Sequence, residues 1–250
     1  MLKHHIFVFG LLLLIVFSGS GCIEMDHHLQ IQRDGSAVYR LHYAITEQAI
    51  TQFRAMFSLR RDLALAEGSV PARDPAPLIM TFLDPSTSAI REQLQQWQQY
   101  GVSMRSLRQN TRPQWRDFSL VLDIEDISRL ADIPFFAQQG FSLERKETGQ
   151  YIFNRPALVK SADRIPPNFS QQEIEHIRPF LAGFSTEVRI EVPGRITSTT
   201  ANQTSLQTAI WTFDFNRRPE SLHQLMLQQF HVIFQPPSGV ALPHVRLAEE

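Results

Sequence analysis

Neighbouring histidines, a glutamate three residues from a histidine, and a short cluster of acids are the side chains whose types and spacing could do chemistry here. His27 and His28 could bind a metal or carry a proton near neutral pH. They fall in residues 23–32, which read as a strand from the alternation of Leu29 and Ile31. Adjacent side chains on a strand point to opposite faces, so the two do not easily chelate one ion. His42 on the facing strand offers a cross-strand pair, and ordinary surface histidine explains all three as well. Glu173 and His176 have the Glu-x-x-His spacing of di-iron bundles, which need several copies. One copy is present, and a capping carboxylate explains Glu173. Asp123, Glu125 and Asp126 could surround calcium, but they lack EF-hand spacing. No serine sits in Gly-x-Ser-x-Gly, and no glycine loop has a phosphate-binding pattern. These residues give no reason to expect an enzyme, a cofactor or a metal.

The remaining reactive group is the thiol of Cys22, the only cysteine. Residues 6–17 (IFVFGLLLLIVF) form an apolar run, preceded by Lys3 and followed by the small residues Ser18-Gly19-Ser20-Gly21. That is the layout of a secretory signal. A lone cysteine directly after small residues resembles the lipobox of bacterial lipoproteins. There the thiol receives a diacylglyceryl group and the cysteine becomes the new N-terminus. Gly19 stands where the lipobox usually has leucine. The competing readings are an ordinary signal peptide and an uncleaved anchor helix. Acyl chains such as palmitate contribute ~0.8 kcal/mol per buried methylene, so two or three hold a protein firmly at a bilayer. No later segment approaches the ~20 apolar residues needed to cross a membrane. Residues 1–21 are therefore expected to be a lipoprotein signal peptide. Residues 22–235 are expected to form a single extracytoplasmic domain, and 236–250, opening on Pro236-Pro237, a disordered tail. With one thiol no internal disulfide can form, so stability must come from a core.

Charge carries less. The 24 basic and 25 acidic residues give a net charge of −1, so nothing favours nucleic acid. Lys146 and Lys160 are the only lysines after the leader. Arginine suits bidentate binding of phosphate and carboxylate, although a GC-rich coding sequence yields the same bias.

The elements that must position these residues alternate between strands and helices. Asp34-Gly35 marks a hairpin between strands over 23–32 and 36–44. Thr46 opens a helix to about residue 62, its hydroxyl capping the first turn. Ile50, Phe53, Met56 and Phe57 recur on one face of it. A second helix spans 86–100 and stops at Gly101. Strands follow over 102–108 and 115–124, linked around Asn110 and Pro113. A hairpin about Thr148-Gly149 joins 141–145 to 150–154. Ser170 and Glu173 open a third helix as a capping box. Val188, Ile190 and Val192 alternate until Pro193-Gly194 breaks the strand. Strands over 206–215 and 230–234 flank a short helix. The whole reads as α+β, a mainly antiparallel sheet with covering helices.

Three features together resemble the LppM-like family of bacterial lipoproteins. One is the lipobox running straight into a hairpin with a DGS turn, Gly21-Cys22-Ile23 and then Asp34-Gly35-Ser36. Another is the strand-breaking segment Val192-Pro193-Gly194-Arg195-Ile196-Thr197-Ser198. The last is Asn202 followed by a strand centred on Trp211-Thr212-Phe213. The resemblance covers the two ends of the chain best; residues 71–179 are an insertion or a diverged middle. It implies a membrane-tethered extracytoplasmic α+β domain with no established catalytic site, for which lipid or glycolipid binding has been suggested.

The expectation is thus a lipid-anchored protein of the cell membrane or outer membrane, non-catalytic, with a lipid or other amphiphile as its ligand. Ile50, Phe53, Met56 and Phe57 would then line one wall of the site. The alternative is an envelope scaffold that binds a protein partner. Phe135, Phe136, Phe169 and Phe184 lie near loops or strand ends, where they either line a cavity, touch the bilayer or pack a core.

Overall fold

The computed structural model describes residues 23–51, 54–55, 58, 87–133, 136–137, 140–157, 183–215, 217–218, 221–240, 242 and 246–247. Strands β1 (Ile23–Ile31) and β2 (Ala37–Thr46) form the expected antiparallel hairpin. Gly35 takes φ 85° in its turn, and Asp34 accepts from the Ser36 amide at 3.0 Å. Glycine is free to adopt that positive φ.

β2 pairs with β4 (Trp115–Ile124), which pairs with β3 (Val102–Arg112). β3 runs further than the sequence pattern indicates. Asn110 lies within it opposite Asp117, and the turn is Pro113-Gln114. On its other side β1 pairs in parallel with β7 (Phe184–Glu191). β10 (Thr208–Asp214) and the two-residue β9 (Gln203–Thr204) complete a sheet ordered β3-β4-β2-β1-β7-β10-β9. A second sheet is built from the short strands β5 (Ser142–Arg145), β6 (Tyr151–Arg155), β8 (Arg195–Thr199), β11 (Phe230–Gln235) and β12 (Arg246–Leu247), and is ordered β12-β5-β6-β11-β8.

The α+β expectation, a sheet with covering helices, is therefore corrected: the described residues are mostly β, in two sheets. Helices α1 (Thr87–Trp97) and α2 (Ser221–Leu227) are short. The inner face of the large sheet packs against the second sheet. Trp211 and Phe213 of β10 meet the ring of Phe230 on β11 at 5.1 and 6.4 Å. The physical reason lies at Pro193-Gly194. β7 ends there and the chain crosses to the other sheet as β8. Gly194 is buried so tightly that a Cβ would lie 2.1 Å from the Gln235 carbonyl oxygen.

Two local expectations are met. Thr46 Oγ1 accepts from the Ala49 amide at 3.1 Å and caps the helical residues that begin at 47. α1 runs through a short 3-10 turn to Gly101, at φ 76°. The helix expected beyond Ser170 lies outside the described residues. Beyond 236, where the sequence reading expects a disordered tail, two described positions have partners. Leu242 is buried and its amide donates to Tyr151 Oη at 2.9 Å. β12 pairs in parallel with β5. The apolar Leu242 and the strand-forming main chain of 246–247 find partners on the second sheet, whatever the prolines before them. No described helix is long and apolar enough to cross a membrane.

A candidate ligand site between the sheets

The period-2 alternation of β1 and β2 assigns their side chains to faces. His27, Leu29 and Ile31 share the inner face with Ala37, Tyr39 and Tyr43, following the register His27↔Leu41 and Leu29↔Tyr39. On β6 the inner positions are Tyr151, Phe153 and Arg155. The imidazole of His27, the phenol of Tyr39 and the guanidinium of Arg155 thus enter a mainly apolar layer that includes Trp211, Phe213, Phe230, Phe234 and the phenols of Tyr43 and Tyr151.

His27 Nδ1 and Tyr39 Oη are 2.7 Å apart and share one hydrogen bond. Burial, and then the charge of Arg155, lower the His27 pKa from 6.5 to about 4. The ring is neutral at physiological pH. Burial also holds the Tyr39 phenol above its ordinary range, so it stays protonated. Burial lowers the Arg155 pKa, partly offset by Tyr39. A guanidinium remains charged under such a shift. Its Cζ lies 5.2 Å from the centroid of Phe230, its register partner on β11, in cation–π contact.

Arg155 Nε is buried and has no hydrogen-bond partner. The indole Nε1 of Trp211, which packs edge-on against Phe230, is likewise buried without one. No acid among the described residues forms an ion pair with Arg155. Buried polar groups are nearly always satisfied, so an orphaned pair of N–H donors in one layer calls for an acceptor.

The structure disperses most of the side chains singled out in the sequence. His28 points to the outer face, 3.5 Å from Glu191, and His42 lies 3.7 Å from its cross-strand partner Asp26. No two of the three histidines meet. Asp123 is held by the Arg105 fork, and Asp126 caps the turn at Ser128 with a 2.9 Å bond. Both carboxylates therefore already have partners. No group of metal-ligating side chains gathers among the described residues. Ile50 is fully buried in the core. Cys22, Phe53, Met56, Phe57, Phe135, Phe169, Glu173 and His176 lie outside the described side chains. Phe136 packs between Trp97 and Phe141, at 5.6 and 6.3 Å, and Phe184 stacks on Phe215 at 4.6 Å. These two phenylalanines are partly buried and pack against the core.

Sequence reasoning passed over Arg155 and Tyr39. The signal for Arg155 was the alternation Tyr151, Phe153, Arg155, which puts a cation on the apolar face of its strand. Tyr39 gave none, because tyrosine is common in strands.

No family model matches this chain, and no curated protein matches it. Among solved structures it is similar to the NMR structure of the folded domain of Mycobacterium tuberculosis LppM. The likeness covers 89% of this chain and 95% of that one, with 10% identity and a TM-score of 0.39. A likeness of that size establishes neither a shared fold nor a shared function.

Proposed function

We propose that this chain is a non-catalytic lipoprotein of the cell envelope, tethered through Cys22, whose two-sheet domain binds a lipid or another amphiphile. One observation carries the reading. Unsatisfied donors on Arg155 and Trp211 sit inside an apolar layer. A molecule with a polar acceptor at one end and apolar surface at the other matches both features. The leader and its cysteine would supply the tether in this reading, and the apolar face expected from the sequence at Ile50, Phe53, Met56 and Phe57 would supply a wall. Localisation, cell membrane or outer membrane, follows from the tether.

The test is mass spectrometry of organic extracts from the purified chain, paired with fluorescent-lipid uptake by the chain from Ile23 to Glu250. Saturable uptake, weakened in a folded Phe53→Asp variant, supports the reading. No co-purifying amphiphile and no uptake from any envelope lipid class removes it.

A second reading, an envelope scaffold, draws on one feature. β3 is the outermost strand at one end of the large sheet and is largely exposed. Such an edge can take an added strand from a partner. Proline at an exposed β3 position would abolish partner capture in that case and leave lipid uptake untouched.

A further inference from the structure

We infer that Arg155 is an anion-recognition residue between the two sheets, and that it takes the singly charged carboxylate headgroup of an amphiphile; this rests on the reading that the domain binds one. A guanidinium presents five donors and no acceptor. Here its Nε is buried without a partner, and no described acid pairs with the group. The polar pair facing it, His27 and Tyr39, is hydrogen-bonded to itself and neutral. It offers no charge to balance the arginine. The Phe230 ring lies against the guanidinium at 5.2 Å. A ring in that place fixes the cation and leaves its N–H groups to bind elsewhere. One fixed fork of donors matches one planar carboxylate, bidentate and charge-assisted. A doubly charged phosphate monoester would leave a buried negative charge uncompensated, since neither Lys146 nor any described arginine pairs with this site. The apolar surroundings of Trp211, Phe213 and Phe230 suit the methylenes next to such a headgroup.

The experiment uses the full chain in phosphatidylcholine nanodiscs, with Trp97 and Trp115 changed to Phe so that Trp211 is the only indole. Bromine-labelled stearate and the matching bromine-labelled stearyl alcohol are titrated, and quenching of Trp211 is read. Stearate is expected to quench saturably, at least about tenfold more tightly than the alcohol, as charge-assisted bonding to Arg155 requires. Arg155→Gln should erase that preference, and Arg155→Lys should restore part of it by returning the charge without the fork. Circular dichroism checks that each variant folds. If Arg155→Gln does not fold, the acid-against-alcohol comparison and the lysine variant still decide. Equal quenching by acid and alcohol overturns the headgroup assignment and leaves amphiphile binding standing. Quenching by neither overturns both. Displacement of stearate by inorganic phosphate at submillimolar concentration would mark a small-anion site and overturn the assignment to an amphiphile.

Discussion

The imidazole of His27 and the phenol of Tyr39 meet at 2.7 Å on the inner face of β1 and β2, and Arg155 reaches the same layer from β6. The pair makes stability depend on pH. The folded pKa of His27, about 4, lies below the unfolded value of 6.5. Between these values the unfolded chain binds more protons. Stability is therefore full above about pH 6.5 and falls as pH drops toward 4, by up to roughly 3 kcal/mol. Burial shifts His28 and His231 in the same direction, which steepens the loss. Urea unfolding at stepped pH should show this slope, and His27→Gln should flatten it. Arg155→Gln should raise the His27 pKa in an NMR titration, because the guanidinium charge is one of its two causes. An unmoved His27 resonance would mean that the two groups are not coupled.

Trp211 is fully buried between Val188 and the ring of Phe230. Truncating a buried large aromatic to alanine costs ~3–5 kcal/mol. Trp211→Ala should lower the unfolding midpoint sharply, and native emission should lose its blue-shifted component. An unchanged midpoint would contradict the two-sheet core.

Much of the strand pattern was legible in the residues. Asp34-Gly35 marked the first hairpin, Thr148-Gly149 the β5–β6 hairpin, and Trp211 the centre of β10. Thr46 and Gly101 marked a helix start and a helix end, because caps and left-handed glycines act locally. The second sheet was not legible. Its strands are short, and alternation tells which face a residue takes without telling which sheet receives it. Pro193-Gly194 announces a break in β7, yet only tertiary packing sends the chain across to pair with β11. The parallel pairing of β1 with β7 joins segments separated by most of the chain, and no local signal encodes it. Of the site, Arg155 was readable from its place after Tyr151 and Phe153; its lack of a partner was not, since pairing depends on the facing sheet.

Gly194 shows how tight the crossing is. A Cβ there would stand 2.1 Å from Gln235 O and 2.7 Å from Pro236 Cα, both main-chain atoms that cannot rotate away. Gly194→Ala must push β8 off the end of β11, an overpacking typically worth ~1–3 kcal/mol. Hydrogen exchange should show lost protection at Ile196 and Val192, whose amides bond Leu206 and Gln207 beside the corner at 2.8 and 2.9 Å. Protection equal to wild type would show that the corner yields without cost.

The anchor is testable apart from the fold. Cys22 is the only thiol, it follows four small residues, and β1 begins at the next position. Lipidation there would leave no spacer, so the Ile23 end of the large sheet would sit at the bilayer surface. Cys22→Ser should abolish incorporation of an alkyne-labelled fatty acid and leave the chain either unprocessed or released. Equal labelling of wild type and variant would exclude Cys22 as the acceptor. A second arm tests the geometry. A flexible Gly-Ser insertion between Cys22 and Ile23 should keep the label while relieving the bilayer contact, so that protease added from outside cuts after Arg112 and Arg116, which lie at the Ile23 end of the sheet, more readily. Unchanged cleavage would show that the Ile23 end already stands clear of the membrane.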